Sequence, residues 1–329
     1  MKTFITLFVL FFATSYCFSQ GGWVLQNTGT NCDIYCITCI DNQNCWAIGK
    51  GNVNDIPHND STVILHTFNG GLTWETQLNI PGTYPYDISF YDKNNGCFGG
   101  DPYSYYTTNG GIKWFPIDTV FDKILYKVKY VNEHTIWAIC NYNQRDILFS
   151  TDNGKKWNKS LAELSFDCIY FLDSLNGWAV GNDASDYQTG LFHTSDGGKN
   201  WFVIYKQVNL MYGAIDIAFI DKNIGWISLY GSDLLYSTDG GNAWNVKTID
   251  TTRNFNLHQV IFTDDNHGWT LGINYKTDST STLFKTTNSG MSWVQDNDFP
   301  VDSIKAIAFP DAMNKWAVGK HGHIWHTTK

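Results

Sequence analysis

The sequence predicts an all-β protein, a single seven-bladed β-propeller built from four-stranded antiparallel blades. Three observations support this prediction. An eight-residue signature occurs six times, a strand–turn–aromatic pattern occurs seven times, and the two ends of the chain carry the two halves of a further signature. Units of roughly 40–50 residues that repeat along a whole chain are typical of propeller blades.

The eight-residue signature has a hydroxyl residue first, Asp or Asn third, Gly fifth and Trp eighth. This is the chemistry of a tight turn between two strands, because a short Asp or Asn side chain accepts backbone N–H groups and glycine adopts a positive φ. The tryptophan then begins the next strand, so we expect it to pack in the core and not to stack on a sugar. The third and eighth residues of the six copies are Asn69 and Trp74, Asn109 and Trp114, Asp152 and Trp157, Asp196 and Trp201, Asp239 and Trp244, and Asn288 and Trp293.

The second pattern, repeated in each unit, is an apolar strand followed by a polar turn and then by an aromatic residue. In the strand, a β-branched residue lies two positions before an aromatic one, as in Ile88 and Phe90, and Ile37 and Cys39 form the weakest copy. We expect this strand to be innermost in each blade and the signature to join the third strand to the fourth. The residue after the turn is Trp46, Trp137, Trp178, Trp226, Trp269 or Trp316, and Cys97 in the remaining copy.

The two chain ends together supply the missing signature. Residues 324–329 open a copy that stops before its Asp and Trp, and Gly22 and Trp23 read as the closing half. The N-terminal strand is therefore predicted to complete the last blade, which leaves no long unpaired edge and holds both termini in place.

Residues 1–19 predict a secretory signal peptide, followed by the propeller over residues 20–329. Lys2 precedes a short apolar run, and small residues stand at Cys17 and Ser19. A lipoprotein would need Cys17 to be acylated, but Tyr16 stands where such signals have Gly, Ala or Ser. The run is too short to span a bilayer. We expect an exported, monomeric protein with no integral membrane segment, and its net charge of −9 argues against a nucleic-acid partner.

Cysteines and histidines raise the question of a metal site. Four cysteines lie between Cys32 and Cys45, but their spacing matches no usual zinc pattern, so structural or disulfide roles are the better interpretation. His321, His323 and His326 alternate along a strand, yet His326 occupies a repeat position and belongs to its blade. We expect no metal and no cofactor.

Loops and the channel mouth are the candidate binding regions. The long loops over residues 50–62, 181–190 and 272–282 lie opposite the signature turns, and rigidly held loops are good places for recognition. Ordinary solvated loops are the alternative interpretation. The loop candidates are Asp55, His58, Asp183, Tyr187 and Tyr275.

A polar ring at the channel mouth is the second candidate. Asp87, Lys127 and Asp216 lie three positions before the aromatic of otherwise apolar inner strands. An ion pair between Asp87 and Lys127, on adjacent blades, is a simpler interpretation than catalysis.

The signature resembles the Asp-box, or BNR, repeat of sialidases, sortilin-type receptors, xyloglucanases and photosystem II assembly factor-like propellers. In those families the box is a fold element away from the usual ligand site. The whole mature chain is similar to the assembly factor-like propellers, which are exported single rings of this size. That resemblance implies docking on a membrane protein through an arginine-rich patch, whereas this chain has only Arg145 and Arg253. Sialidase chemistry, which uses three arginines, is excluded on the same ground.

The sequence thus favours an exported binding or scaffold propeller that recognises a protein or a glycan through its loop rim or channel mouth. The alternative is a carbohydrate-active enzyme, a glycosidase other than a sialidase or a lyase, that uses channel-mouth carboxylates. Two carboxylates from different blades leave no sequence spacing by which to recognise them.

Overall fold

The computed structural model of the chain describes residues 19–20, 22–52, 60–117, 124–140, 147–160, 164–183, 189–206, 213–274, 276 and 280–329. Its strands form seven antiparallel sheets arranged as the blades of one propeller, which confirms the predicted fold. The strands of the first three blades are β3 (Asp33–Cys39), β4 (Cys45–Asn52), β5 (Asp60–Thr67) and β6 (Glu75–Pro81); β7 (Tyr84–Phe90), β8 (Gly96–Asp101), β9 (Tyr105–Thr107) and β10 (Phe115–Pro116); and β11 (Leu125–Tyr130), β12 (Ile136–Cys140), β13 (Ile147–Ser150) and β14 (Asn158–Lys159).

The next three blades repeat this order. Their strands are β15 (Leu164–Phe171), β16 (Gly177–Asp183), β17 (Thr189–Thr194) and β18 (Phe202–Lys206); β19 (Ala214–Phe219), β20 (Gly225–Leu229), β21 (Asp233–Ser237) and β22 (Asn245–Thr248); and β23 (Phe255–Phe262), β24 (Gly268–Asn274), β25 (Ser281–Thr286) and β26 (Val294–Gln295).

The seventh blade joins both ends of the chain, as predicted. It contains β27 (Ile304–Ala308), β28 (Lys315–Gly319) and β29 (Ile324–Thr327), and β2 (Trp23–Leu25) pairs with β29 through Val24 opposite His326. The sheet has one strand more than expected, because β1 (Ser19–Gln20) pairs with the outer side of β2. A short 3₁₀ turn over Lys320–Gly322 separates β28 from β29.

The core lies between neighbouring blades, where both faces of each sheet are covered. One cluster, for example, packs Ile34 and Leu65 of blade 1 against Trp316 and Ile324 of blade 7. The signature tryptophans Trp114, Trp157 and Trp244 are buried, and Trp74, Trp201 and Trp293 are partly buried. Large aliphatic and aromatic side chains thus fill the space between neighbouring sheets.

The Asp-box turns have the predicted hydrogen bonds. Asp152 Oδ1 accepts the Lys156 N–H at 2.8 Å, and Ser150 Oγ accepts the Gly154 N–H at 2.9 Å. The same pair of bonds is present in all six boxes, each located between the third and fourth strands of its blade.

Each box also touches the turn between the first and second strands of its own blade. The Gly240 N–H, for example, donates to the Asn223 carbonyl at 2.9 Å. Both turns therefore lie on one rim, here called the box rim, and the opposite rim is called the loop rim. Each inner strand begins at the loop rim and runs toward the box rim.

The cysteines have structural positions. Cys39 and Cys45 form a disulfide across the first hairpin, whereas Cys32, Cys36, Cys97 and Cys168 carry free thiols. The part of the chain that the structure describes holds no group of three His, Cys, Asp or Glu side chains placed to bind a metal. Within the same residues, no helix is long and apolar enough to cross a membrane.

Candidate functional site

Every inner strand carries a β-bulge at the same position near the loop rim. In blade 1, Ile34 pairs with Gly49 and Cys36 with Ile48, so Tyr35 is left without an opposite residue. The corresponding register shift occurs in each of the other six inner strands. A bulge redirects its extra side chain and increases the local twist. The seven extra residues, here called the bulge ring, are Tyr35, Tyr86, Tyr126, Asp167, Ile215, His258 and Lys305.

The bulge ring surrounds the entrance to an axial cavity of about 550 Å³. All its members except Asp167 line that cavity. A volume of several hundred Å³ accommodates a small molecule or a few side chains of a peptide. The cavity lining combines aromatic and charged groups, among them Tyr86, Asp87 and Lys127.

Tyrosines occupy one side of the entrance, on blades 1 to 3. The ring centroids of Tyr35 and Tyr84 are 5.7 Å apart, those of Tyr84 and Tyr86 are 5.2 Å apart, and those of Tyr86 and Tyr126 are 5.2 Å apart. These four residues are called the tyrosine arc. Such tilted contacts hold aromatic rings in fixed positions. Burial, together with the charges of Asp101 and of the neighbouring tyrosines, raises the pKa of the Tyr86 hydroxyl, so Tyr86 stays uncharged at neutral pH.

The polar ring that the sequence indicated follows the bulge ring by one residue on each inner strand, so it lies deeper in the channel than the bulge ring. Asp87 Oδ2 accepts the Val128 N–H of the next blade at 3.0 Å, and Asp87 Oδ1 accepts the Ile88 N–H at 2.9 Å. The Cys36 thiol donates to the same Oδ1 at 3.2 Å. The carboxylate therefore connects the inner strands of blades 1, 2 and 3.

The remaining members of this polar ring make similar connections. Asp216 Oδ2 accepts the Val260 N–H at 3.2 Å, and Gln259 Oε1 accepts the Ile307 N–H at 2.8 Å. The Lys127 ammonium donates to the Ile215 carbonyl at 3.1 Å, two blades away. The bonds of Asp216 and Gln259 join the inner strands of successive blades, and that of Lys127 joins blade 3 to blade 5.

The electrostatics of Lys127 differ from the ion pair with Asp87 that the sequence suggested. Burial disfavours the charged ammonium, but Asp216, then Cys168 and Asp87, outweigh it and raise the pKa of Lys127. Its hydrogen bond goes to Ile215, and Asp216 is its stronger charge partner. Sequence reasoning could not foresee this, because Ile215 lies two blades away and 88 residues further along the chain.

The two carboxylates have raised pKa values because they lie deep in the channel. Burial is the main cause for both, and it is offset for Asp87 mainly by the Val128 amide and for Asp216 mainly by Lys127. Burial and the nearby Asp87 also raise the pKa of the Cys36 thiol well above its usual range. A thiol held protonated in this way is a poor nucleophile.

The loop candidates lie largely beyond the described part of the chain. Asp55, His58, Tyr187 and Tyr275 fall outside the described residues. Asp183 is the last residue of β16, where it pairs with Leu164, and its side chain is not among those described.

The three C-terminal histidines have separate roles. His326 stacks on Trp316 with ring centroids 3.8 Å apart, as expected of a residue that belongs to its blade. His323 Nδ1 lies 2.7 Å from Asp302 Oδ2, and His321 follows β28 in a positive-φ conformation. They do not converge on one point as metal ligands would.

The bulge ring was missed by the sequence analysis. In a regular strand, residues next to each other face opposite sides, so Tyr35, Tyr86 and Tyr126 would face away from the side chains that follow them. The available signal was the repeated tyrosine directly before the polar position in three neighbouring blades. A bulge is not visible in such a pattern until the strand pairing is known.

Comparison with known proteins agrees with this architecture. A family model described as photosynthesis system II assembly factor YCF48 matches residues 202–276. A solved structure of YCF48 bound to a D1 peptide superposes with a TM-score of 0.70 at 18% identity, covering 94% of this chain and 95% of that one. This chain has the fold of the photosystem II assembly factor propellers.

Other solved structures share the architecture at lower identity. YCF48 from Cyanidioschyzon merolae has a TM-score of 0.68 at 16% identity, with 93% of this chain and 98% of that chain covered. An ancestral GH74 enzyme has a TM-score of 0.56 at 13% identity, but the match covers 71% of this chain and 34% of the enzyme. No curated protein sequence matches the chain. The assembly factor-like resemblance expected from the Asp-boxes is therefore confirmed at the level of the fold.

Proposed function

We propose that this chain is an exported propeller that binds an extended segment of a protein partner at the loop-rim entrance of its channel. The observation that carries the proposal is the bulge ring, which directs three tyrosines of adjacent blades into the entrance of a cavity of about 550 Å³. Tyrosines suit peptide recognition, because they provide a large rigid apolar surface and a polar hydroxyl at low entropic cost.

The similarity to YCF48 supports a peptide as the class of ligand. A propeller of the same fold binds a D1 peptide, and its match with this chain extends over nearly the full length of both. The partner itself does not follow from that similarity, because fold does not determine the ligand. The acidic, arginine-poor composition of this chain gives no support to a photosynthetic partner.

The carbohydrate-active alternative receives less support from the channel. A glycosidase needs one carboxyl group that donates a proton and a second that attacks or activates water. Asp87 uses both oxygens to accept backbone N–H groups, and Asp216 accepts the Val260 N–H. These bonds hold the ring of inner strands together, which is a structural role.

Export rests on the predicted signal peptide. The expected product begins at Gln20, after cleavage behind Ser19. Mass spectrometry of the intact protein from fractionated cells would measure this mass and its compartment. Full-length protein in the cytoplasmic fraction would contradict the proposal of export.

The binding proposal is tested by capture from the cell envelope of the source organism. The purified protein, a Tyr86→Ala/Tyr126→Ala variant and a Tyr91→Ala control are immobilised side by side, and a glycan array is probed in parallel. Tyr91 is 46% exposed and follows β7 at the box rim, so its loss should leave capture unchanged. We expect a protein that the wild type and the control retain and the double variant loses. Binding to glycans alone, or equal capture by all three, would overturn the proposal.

A further inference from the structure

The tyrosine arc offers aromatic faces in a surrounding that favours a positively charged guest. Tyr35, Tyr86 and Tyr126 line the cavity, and Tyr126 remains 37% exposed. The face of a tyrosine ring carries partial negative charge and attracts a cation placed within about 6 Å of its centroid.

One cation of the chain already occupies a face of this arc. Lys50 Nζ lies 4.5 Å from the centroid of the Tyr84 ring. The arc therefore binds an ammonium group in the folded protein itself. Tyr86 and Tyr126 continue the arc from Tyr84 toward the cavity.

Negative charge lies beside and beneath these two rings. Asp101 pairs with Tyr84 in the sheet and acts electrostatically on the Tyr86 hydroxyl. Asp87 lines the cavity one residue deeper than Tyr86. The Lys127 ammonium donates its hydrogen bond to the Ile215 carbonyl of blade 5, and Asp216 is its strongest charge partner, ahead of Asp87 and Tyr126. The basic residues of the bulge ring, His258 and Lys305, belong to blades 6 and 7.

We infer that the tyrosine arc, with Asp101 and Asp87, selects peptide segments that carry a lysine or arginine side chain. This inference rests on the proposed peptide-binding function and specifies its ligand. The cationic head would stack on Tyr86 and Tyr126, and its charge would be balanced by the carboxylates. The negative charge of the whole protein attracts such a segment before contact is made.

The test is a selection of decapeptides from a random phage-displayed library on the purified protein. We expect the selected pool to be several-fold enriched in Lys and Arg over the input. Tyr86→Phe/Tyr126→Phe keeps the ring faces and should keep this enrichment, whereas Tyr86→Leu/Tyr126→Leu should abolish it. Replacing the basic residue of a selected peptide by glutamine should weaken binding about 2- to 30-fold, the range of a cation–π contact.

The outcomes separate the two proposals. Selected peptides without a preference for basic residues would overturn the inference and leave peptide binding intact. A library from which no peptide is selected would contradict peptide binding itself. If the leucine variant retained the preference and the folding of the wild type, the tyrosine arc would be the wrong site. Thermal unfolding of each variant shows that a lost preference does not arise from a lost fold.

Discussion

Short acidic and amide side chains organise both tight turns on the box rim in the six blades that carry a complete Asp-box. Beside the box residues, a second set of side chains accepts two backbone N–H groups in the turn between the first and second strands. Asp92 Oδ1, for example, accepts the N–H groups of Asn94 and Asn95, each at 2.7 Å. The equivalent residues in the seven blades are Asp41, Asp92, Asn132, Asp173, Asp221, Asp264 and Asp311.

Removing a box carboxylate should cost stability, whereas exchanging it for the amide should not. Asp152→Ala loses the bonds to Ser150 and Lys156, and we expect the free energy of unfolding to fall by about 1–2 kcal/mol. Asp152→Asn keeps an acceptor oxygen, as Asn69, Asn109 and Asn288 do in their boxes, and should change stability by less than about 0.5 kcal/mol. Urea unfolding measures both, and equal losses would argue against the acceptor as the cause.

Two histidines stack on core tryptophans. His66 directly precedes the hydroxyl residue of an Asp-box, and His326 precedes the equivalent residue of blade 7. His66 lies 4.4 Å from Trp46 and His326 lies 3.8 Å from Trp316, measured between ring centroids. Burial lowers the pKa of each to about 4. Both imidazoles are therefore neutral at physiological pH and stack on the tryptophans as flat rings, and His66 Nδ1 also lies 3.2 Å from Gln77 Nε2.

This burial predicts a loss of stability in mild acid. Above about pH 6.5 these histidines are neutral in both the folded and unfolded chain and contribute no pH dependence. Between about pH 6.5 and 4 only the unfolded chain takes up the protons, so the free energy of unfolding falls as the pH falls. The slope is at most about 1.4 kcal/mol per pH unit for each fully buried ring, and less here because both rings keep some solvent contact.

The matched variant is His66→Phe/His326→Phe, since Phe149 occupies the same repeat position in blade 3. Its stability should change less between pH 6.5 and 4.5 than that of the wild type. Urea midpoints at four pH values would show this. An unchanged slope would assign the acid sensitivity to other groups.

Box turns also pack onto the second strand of the preceding blade. Gly198 of blade 4 has a φ of +87°, and a Cβ built there would lie 2.3 Å from the Trp137 ring of blade 3. Glycine is required at this position both for its backbone conformation and for the close contact between blades.

Substitution at Gly198 should therefore lower the free energy of unfolding by more than backbone strain alone would. Gly82 provides the control, because its φ is +73° and a Cβ there would meet nothing within 4 Å. We expect Gly82→Ala to lower stability by about 1 kcal/mol, and Gly198→Ala to lower it by a further 1–3 kcal/mol, roughly, through overpacking. Equal losses in urea unfolding would mean that the blades move apart easily at this contact.

The hairpin between the first and second strands is closed by an aromatic–glycine contact in four blades and by a disulfide in blade 1. In four blades an aromatic residue at the end of the inner strand lies over a glycine of the second strand, as Phe90 does over Gly96. In blade 1 the same two positions are Cys39 and Cys45, which form the disulfide. This explains why Cys39 is the weakest copy of the repeat.

The sequence was sufficient for the blades and insufficient for the site. Asp-boxes and strand patterns are local, so Asp152 or Trp178 could be placed in a blade from their neighbours in the chain. The direction of Tyr86 depends on its bulge, and the hydrogen-bond partner of Lys127, Ile215, lies two blades away. Neither property is encoded within a few residues of the side chain that it controls.

Ring closure makes the stability of the whole molecule depend on a few N-terminal residues. Trp23 is 2% exposed, packs edge-on against Phe299 at 5.4 Å and belongs to the strand that pairs with β29. Without this strand, β29 would present an unpaired edge on the seventh blade.

Loss of the Trp23 side chain should loosen the seventh blade. We expect Trp23→Ala to lower the free energy of unfolding by about 3–5 kcal/mol, as for other buried tryptophans. Phe202→Ala is the control, since Phe202 is 62% exposed on an outer strand and should cost less than about 1 kcal/mol. Limited proteolysis would identify the first cut, which we expect in blade 7. A first cut elsewhere would show that closure does not limit stability.

The pairing of Val24 with His326 also determines when the ring can close during synthesis. During synthesis, the segment that completes the propeller is made before any blade and finds its partner only after the last strand is made. Until then, the ring cannot close. A chaperone or an export machinery that engages the first residues would thus control when the protein becomes native.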